Sequence, residues 1–194
     1  MTLTEMRARV REDLQDEDAA NYRWTDDQVD GAIQRVVAEF SQACPIEILT
    51  EITSTADSKE IDISTLADLL KVCSVEYPKD LEPRYLQRFE TWEGKLYMTD
   101  KGDGVKKARI RWLEWHTLTA VGSTIPEQHE EIIVLGATGY LATSASVYTV
   151  DRASIAGKWA TINFLKWGQM RLDRYEKKLK QLTSRVTVKE LYSD

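Results

Sequence analysis

The sequence predicts a mainly α-helical protein, a helical bundle with a long central and a long C-terminal helix, plus a small β-rich insertion at about residues 46–119. Three observations predict this class. An uncharged stretch of 19 residues follows Glu131 and suits a helix that is buried on all sides. Residues 158–182 show amphipathic helical spacing. Within the insertion, apolar residues alternate with polar ones, which is typical of strands.

The N-terminal part of the sequence is predicted to form two helices separated by an acidic loop. Residues 3–15 show helical apolar spacing, and the loop DEDAANY follows them. In the second helix, Thr25 is placed to cap the first turn, and Gln28 three residues later completes a capping box. Because a residue before proline avoids helical geometry, Cys44 before Pro45 predicts the end of this helix.

The insertion is predicted to contain short strands. Apolar residues recur at Ile46, Ile48 and Ile52, with an irregularity expected at Leu49. Further strands are expected around Ile61 and Ile63, at residues 72–77, and in a hairpin that joins residues 89–99 to residues 105–116 through DKGDG.

The uncharged stretch belongs to a predicted helix over residues 126–150. Pro126 suits a first helical turn, and the glutamates after it place negative charge near the positive end of the helix dipole. The stretch is also about long enough to cross a bilayer. Its hydroxyl side chains and the absence of a Lys/Arg bias favour burial inside the protein instead. Gly136 and Gly139 are expected to let a neighbouring helix approach closely.

The C-terminal part completes the predicted organisation. After the long helix, the remaining residues TSRVTVKELYSD are too few for a core element and are expected to form an extended arm. Since the flanking helices must close over one core, we predict a single domain over residues 1–194. Its predicted parts are helical segments at 1–44 and 126–183, the insertion at 46–119 and the arm at 184–194.

Few residues suit catalysis or metal binding. Cys44 and Cys73 match no metal-ligand spacing and are interpreted as small apolar residues. His129 lacks the second histidine of the zinc-protease motif, and His116 is expected to cap or pack beside an aromatic strand. The clusters GATG and KGDG lack the strand-to-helix context of a phosphate-binding loop. We therefore expect no enzyme, no cofactor, no metal site and, from the charged N-terminus, no secretory signal.

The charge is unevenly distributed. The net charge of −6 argues against a general duplex-DNA binder. Residues 1–64 contain six Lys/Arg against fifteen Asp/Glu, whereas residues 126–194 contain ten against eight. Two interpretations stay open: both regions are ordinary solvated surfaces, or the acidic part of one copy faces the basic helix of the next copy.

Three segments resemble one protein family. They are LTEMRARVREDLQDEDAANYRWTDDQVDGAIQRVVAEFS, STIPEQHEEIIVLGATGYLA and GKWATINFLKWGQMRLDRYEKKLKQL. An arginine-containing first helix, an acidic loop and an aromatic-Thr-Asp-Asp helix start are similar to those of the head-to-tail connector (adaptor) proteins of tailed bacteriophages. The resemblance covers the helical parts, about two thirds of the chain, and rests on helix starts rather than on catalytic signatures.

The resemblance implies a structural virion protein of the head–tail junction, assembled in the host cytoplasm. Such proteins form a homo-oligomeric ring, usually a dodecamer, beneath the portal protein. The ring extends the channel through which genomic DNA passes and offers the docking surface for a tail or stopper protein. No membrane partner is implied. The predicted portal-docking arm includes Val186, Val188, Leu191 and Tyr192, and the predicted contacts between copies involve Asp16, Glu17, Asp18, Arg174, Lys177 and Lys178.

A nucleic-acid-binding module is the alternative hypothesis. Trp92, Trp112 and Trp115 lie near Arg109 and Arg111 in the predicted aromatic and basic hairpin. Aromatic rings can stack on single-stranded bases while nearby cations contact the phosphates. The competing explanation is that a small sheet needs large side chains to build its core. Salt-sensitive binding of single-stranded DNA would distinguish the two.

Overall fold

The computed structural model describes the backbone of residues 1–149 and 158–191, and the side chains of residues 1–145 and 164–183. The chain divides into two compact units, where the sequence predicted one domain with an insertion. The helical unit contains Met1–Cys44 and His116–Asp194, and the β unit contains Pro45–Trp115. Each unit is built around its own cluster of buried apolar side chains.

The fold class is mixed α/β, so the prediction of a mainly α-helical bundle was wrong. The described backbone forms four helices and two three-stranded antiparallel sheets. The difference arises because the insertion contains enough apolar residues to build a second core, which includes Ile61, Val75, Leu96 and Ile110. Helical periodicity in the flanking segments carries no information about that core.

Four helices make up the described helical unit. They are α1 (Leu3–Leu14), α2 (Asp26–Ala43), α3 (Glu127–Thr149) and α4 (Lys158–Leu191). The predicted start of α2 is confirmed: Gln28 N donates to Thr25 Oγ1 at 3.3 Å, and Thr25 N donates to Gln28 Oε1 at 2.9 Å. Its C-cap is Cys44, as the following proline predicted. A second capping box, between Thr2 and Glu5, begins α1.

The middle of α3 is surrounded by protein, as its uncharged sequence predicted. Residues 132–139 are buried without interruption. The hydroxyl of Thr138 is accommodated because it donates to the backbone oxygen of Val134 at 2.9 Å. In the described part of the chain, every helix is too short or too polar to cross a lipid bilayer.

Two glycines of α3 lie where other helices pack closest. A Cβ atom on Gly136 would lie 2.9 Å from both Cγ atoms of Val36 in α2. A Cβ atom on Gly139 would lie 2.8 Å from Cδ2 of Leu172 in α4. The prediction that these glycines permit close helix approach is therefore confirmed.

We expect Gly139→Ala to lower the free energy of unfolding by about 1–3 kcal/mol, because the added methyl group overpacks the α3–α4 contact. Besides the Leu172 side chain, the backbone nitrogen of Leu172 would lie only 3.2 Å away. Gly31 in α2 is the matched control, since the described chain places no atom within 4 Å of a Cβ there. Gly31→Ala should stabilise by up to about 1 kcal/mol. Urea unfolding that shows equal gains for both variants would contradict this packing.

The C-terminal helix is longer than predicted. α4 continues to Leu191, whereas the sequence predicted a helix end near residue 182 and an extended arm from residue 184. The stretch TSRVTVKEL contains neither glycine nor proline, so nothing in the backbone forces the helix to stop. The side chains of the predicted docking residues Val186, Val188 and Leu191 lie outside the described residues, as does Tyr192.

Two antiparallel sheets form the β unit. Its strands are β1 (Ile46–Thr53), β2 (Glu60–Asp62), β3 (Leu69–Glu76), β4 (Phe89–Trp92), β5 (Lys95–Met98) and β6 (Lys107–Glu114). The first sheet has the order β1-β6-β3, and the second has the order β2-β5-β4. Half-buried and exposed residues alternate without interruption along β1, so the irregularity predicted at Leu49 is absent. Leu49 is exposed, as its position in this alternation requires.

The prediction of a hairpin between residues 89–99 and 105–116 was wrong. β5 pairs with β4 across a tight turn at Glu93 and Gly94, whose φ angles are +47° and +73°. Two consecutive positive φ angles are typical of the two-residue loops that connect the strands of a β-hairpin. β6 instead pairs with β1 and β3. The segment DKGDG is a folded loop in which the Asp103 carboxylate accepts the backbone N–H of Lys106 at 2.7 Å.

His116 joins the two chain segments of the helical unit at the point where the β unit is inserted. Its Nε2 lies 2.9 Å from the backbone oxygen of Cys44, and its Nδ1 lies 3.1 Å from that of Thr124. Its backbone N–H donates to Ser41 Oγ at 3.0 Å, and its ring packs on Phe40. The expectation that His116 caps or packs is confirmed.

Candidate functional site

A buried arginine organises the N-terminal part of the helical unit. Arg11 in α1 is only 5% exposed. Its Nη1 donates to Asp16 Oδ2 at 2.7 Å, and its Nη2 donates to Asp26 Oδ1 at 2.7 Å and to the backbone oxygen of Trp24 at 3.0 Å. The Tyr22 ring stacks on the guanidinium at 3.6 Å. Arg11 thus connects α1, the acidic loop and the start of α2.

Arg7 extends this connection along the two helices. Its Nε and Nη2 donate to the two carboxylate oxygens of Asp30 at 2.7 and 2.6 Å, and its Nη1 donates to Asp26 at 2.9 Å. The bond from Arg11, together with the nearby Arg7 charge, holds the pKa of the Asp26 carboxyl below its ordinary value. Arg7, Arg11 and Asp26, which belong to the segments that carry the family resemblance, are therefore parts of one intramolecular network.

Asp16 is not available for the predicted contact with another copy. It is buried, and besides the Arg11 ion pair it accepts the backbone N–H groups of Arg23 at 2.7 Å and Trp24 at 3.4 Å. The two other acidic residues of the predicted contact, Glu17 and Asp18, are exposed. The exposed acidic surface near the loop is therefore smaller than the sequence indicated.

The basic residues of the predicted contact lie on the exposed side of α4. Arg174, Lys177 and Lys178 are all exposed, and their spacing places them on one helical face. The exposed side chain of Met170, one turn earlier, continues this face. Arg171 differs from its basic neighbours, because its Nε donates to Thr138 Oγ1 at 2.7 Å and its Nη2 pairs with Asp13.

A tyrosine–glutamate cluster joins α2, α3 and α4, and the sequence did not reveal it. The Glu39 carboxylate accepts the hydroxyls of Tyr140 at 2.9 Å and Tyr175 at 3.0 Å, and Arg35 Nε at 3.1 Å. Burial, followed by the nearby Glu39 carboxylate, raises the pKa of both tyrosines, so both hydroxyls remain donors. Only the i to i+4 spacing of Arg35 and Glu39 hinted at part of this cluster.

The basic residues of the alternative hypothesis are already paired with carboxylates in the β unit. Arg109 Nη2 donates to Asp80 at 2.6 Å, and Arg109 Nη1 donates to Glu76 at 3.3 Å. Arg111 lies on the same face of β6 and pairs with Glu47 at 3.6 Å. Their positive charge is largely compensated, which lowers their attraction for phosphates.

The aromatic residues of that hypothesis do not share one surface. Trp112 is buried in the core of the β unit, and its Nε1 donates to Thr50 Oγ1 at 2.9 Å. Trp92 is 68% exposed but belongs to β4 in the other sheet. Trp115 is half-buried just after β6. A continuous stacking platform of three tryptophans is therefore not formed.

Comparison with known proteins assigns no family to the chain. No protein-family model matches the chain, and no curated protein matches it at a significant level. Among the described residues, no three His, Cys, Asp or Glu side chains gather closely enough to hold a metal ion. The described chain exposes Glu5, Glu12, Glu17 and Asp18 along α1 and the acidic loop, and Arg174, Lys177 and Lys178 along α4.

Proposed function

We propose that the protein is a head-to-tail adaptor of a tailed-phage virion, which assembles as a homo-oligomeric ring beneath the portal. In this proposal the ring extends the DNA channel and offers the docking surface for a tail or stopper protein. The resemblance of the helical segments supplies the partners. The helical unit supports the proposal because its surface charges favour head-to-tail contacts between copies of the chain.

One observation carries the proposal. The same compact unit exposes acidic residues on α1 and the following loop, and a basic stripe on α4. Two different, complementary surfaces favour head-to-tail association, in which the acidic surface of each copy meets the basic surface of the next. Such heterologous contacts close into rings when the rotation between copies permits it. Contact of either surface with the same surface of a second copy would place like charges opposite each other.

The arginine–aspartate network gives these surfaces a fixed support. Arg7 and Arg11 hold α1 against the start of α2 through charge-assisted hydrogen bonds of 2.6–3.0 Å. A subunit that must match identical neighbours around a closed ring needs such a rigid edge. On this proposal, the residues behind the family resemblance maintain the geometry of the subunit and do not contact DNA.

Attachment to tail-less, DNA-filled phage heads that carry the portal tests the proposal. We expect the full chain to sediment with these heads as a closed ring and not with heads that lack the portal. Removal of residues 185–194, which include the last turns of α4, should abolish attachment if this C-terminal segment docks on the portal. Leu81→Ser/Leu86→Ser, which removes exposed apolar side chains from the β unit, is the control and should attach normally.

Two outcomes of this test carry different meanings. Undiminished attachment of the truncated chain would remove the docking role of Val186, Val188, Leu191 and Tyr192. If the full chain forms no closed multimer, either in concentrated solution or on portal-bearing heads, the adaptor proposal fails. Clear, salt-sensitive binding of single-stranded DNA would favour the alternative hypothesis instead.

A further inference from the structure

We infer that a groove along the exposed side of α1 receives the Met170–Lys178 stripe of α4 from a second copy of the chain. This inference rests on the proposed ring and names its subunit contact. The groove, hereafter the α1 groove, belongs to the helical unit. It is lined by Met1, Glu5, Ala8, Arg9, Arg11, Glu12, Glu17 and Tyr22.

The floor of the α1 groove is apolar and held in place. Ala8 is exposed in its lining and leaves room because its side chain is a single methyl group. Tyr22 is 43% exposed, and its ring is fixed by stacking on the buried guanidinium of Arg11 at 3.6 Å. A large aromatic ring that is already immobilised offers contact area at low entropic cost. The groove is therefore prepared for an apolar side chain.

The rim of the α1 groove is acidic. Glu5 and Glu12 follow the exposed side of α1, and Glu17 comes from the loop. Hydrogen bonds from Thr2 hold the pKa of Glu5 below its ordinary value, so this carboxylate stays ionised. The lining residues also carry three cationic groups, each paired with a carboxylate: Arg9 with Glu12 at 3.0 Å, the buried Arg11 with Asp16 and Asp26, and the Met1 ammonium with Glu130. Within the described chain Glu17 makes no ion pair, which leaves its charge for a partner.

The stripe on α4 has the opposite pattern. Met170 is 43% exposed, and Arg174, Lys177 and Lys178 follow it at i+4, i+7 and i+8. This spacing keeps all four side chains on one helical face about two turns long. One apolar side chain leads the stripe, and three cations follow. No shift of the chain is needed to present it, because all four residues are already exposed.

The α1 groove and the α4 stripe are complementary to each other, but neither is complementary to a second copy of itself. An exposed methionine meets the Ala8 and Tyr22 floor, while Arg174, Lys177 and Lys178 meet an acidic rim. Pairing of two grooves or of two stripes would oppose like charges, which is unfavourable. A second copy of the chain is thus the occupant that the charges favour. Each copy has one groove and one stripe, which is the arrangement required for a ring.

Disulfide trapping between differently tagged variants tests this contact, after Cys44→Ser and Cys73→Ser have removed the two native thiols so that each chain carries a single cysteine. Ala8→Cys protein is mixed with Met170→Cys protein under mild oxidation, both in concentrated solution and on portal-bearing heads. We expect a crosslink that contains one chain of each kind. Ala38→Cys, at an exposed alanine of α2, replaces Ala8→Cys as the control and should give little product.

Charge reversal provides the second measurement. Lys177→Glu/Lys178→Glu on the Met170→Cys chain should lower the crosslink yield at least about tenfold, because the stripe would then repel the acidic rim. Lys106→Glu/Lys107→Glu changes the net charge equally, at exposed sites in the β unit, and should leave the yield unchanged.

The outcomes separate this inference from the proposed function. If the full chain attaches to heads as a ring but residues 8 and 170 do not crosslink, the groove contact is wrong and the adaptor proposal stands. Crosslinks that join two chains of the same kind would show an isologous contact and would also overturn the inference. If neither condition yields any mixed product, the contact does not exist, whatever the protein attaches to.

Discussion

Arg11→Met is expected to lower the free energy of unfolding by about 3–5 kcal/mol, because it leaves a buried carboxylate without its counter-charge. Asp16 would keep only the backbone N–H groups of Arg23 and Trp24 as donors. Asp26 would lose one of its two arginine partners, and the Tyr22 ring would lose the cation on which it stacks. Chemical unfolding followed by circular dichroism measures the change.

Arg9→Met is the matched control for this prediction. Arg9 lies in the same helix, but half of its side chain is exposed and its pairing with Glu12 is a surface contact. Such pairs contribute about 0–1 kcal/mol. The double variant Arg11→Met/Asp16→Asn should recover part of the loss, because the uncompensated charge is gone. If Arg11→Met costs no more than Arg9→Met, the network does not support the fold.

Tyr175→Ala is expected to cost about 3–5 kcal/mol, which is typical when a buried aromatic side chain is truncated. Tyr175 is 1% exposed and packs against Gly136, Tyr140 and the backbone of α2. The loss would open a cavity between three helices and remove one hydroxyl from Glu39. Phe164→Ala, at a half-buried aromatic of the same helix, should cost less. Thermal and urea unfolding that give equal losses would contradict the central position of Tyr175.

Tyr175→Phe isolates the hydroxyl and predicts a pH effect. At neutral pH the variant should lose about 1–2 kcal/mol with the hydrogen bond to Glu39. The folded-state pKa of Tyr175 is raised above its ordinary value of 10.0, chiefly by burial. Above about pH 10 the unfolded chain therefore releases a proton that the native protein retains, so stability falls. The stability difference between wild type and Tyr175→Phe should shrink as pH rises, and a constant difference would refute it.

The sequence predicted those parts of the fold that depend on local patterns. The capping box at Thr25, the end of α2 at Cys44 and the burial of α3 each follow from neighbouring residues, and each is confirmed. The strand pairing was missed because it is non-local. β6 lies between β1 and β3, and its register with β1 brings Ile48 opposite Trp112 across a long sequence separation. Periodicity identifies a strand but not its partner.

The candidate surfaces could be predicted only in part, for a similar reason. The charge count indicated an acidic N-terminal region and a basic α4, and both exposed surfaces exist. Composition could not reveal which charges turn inward. Asp16 is buried with Arg11, and Arg171 contacts Thr138 and Asp13, although each looks like a surface residue in the sequence. The choice of an ion-pair partner depends on the packing of distant segments.

The imidazole of His116 gives the chain a modular architecture. Because its Nε2 meets the backbone oxygen of Cys44 at 2.9 Å, the chain exits and re-enters the helical unit at one spot. The segment between Cys44 and His116 can therefore vary in length and sequence while the helical unit keeps the contact between these two residues. Evolutionary divergence in such a chain should concentrate in Pro45–Trp115, and homologues that exchange this segment should retain the same helical unit.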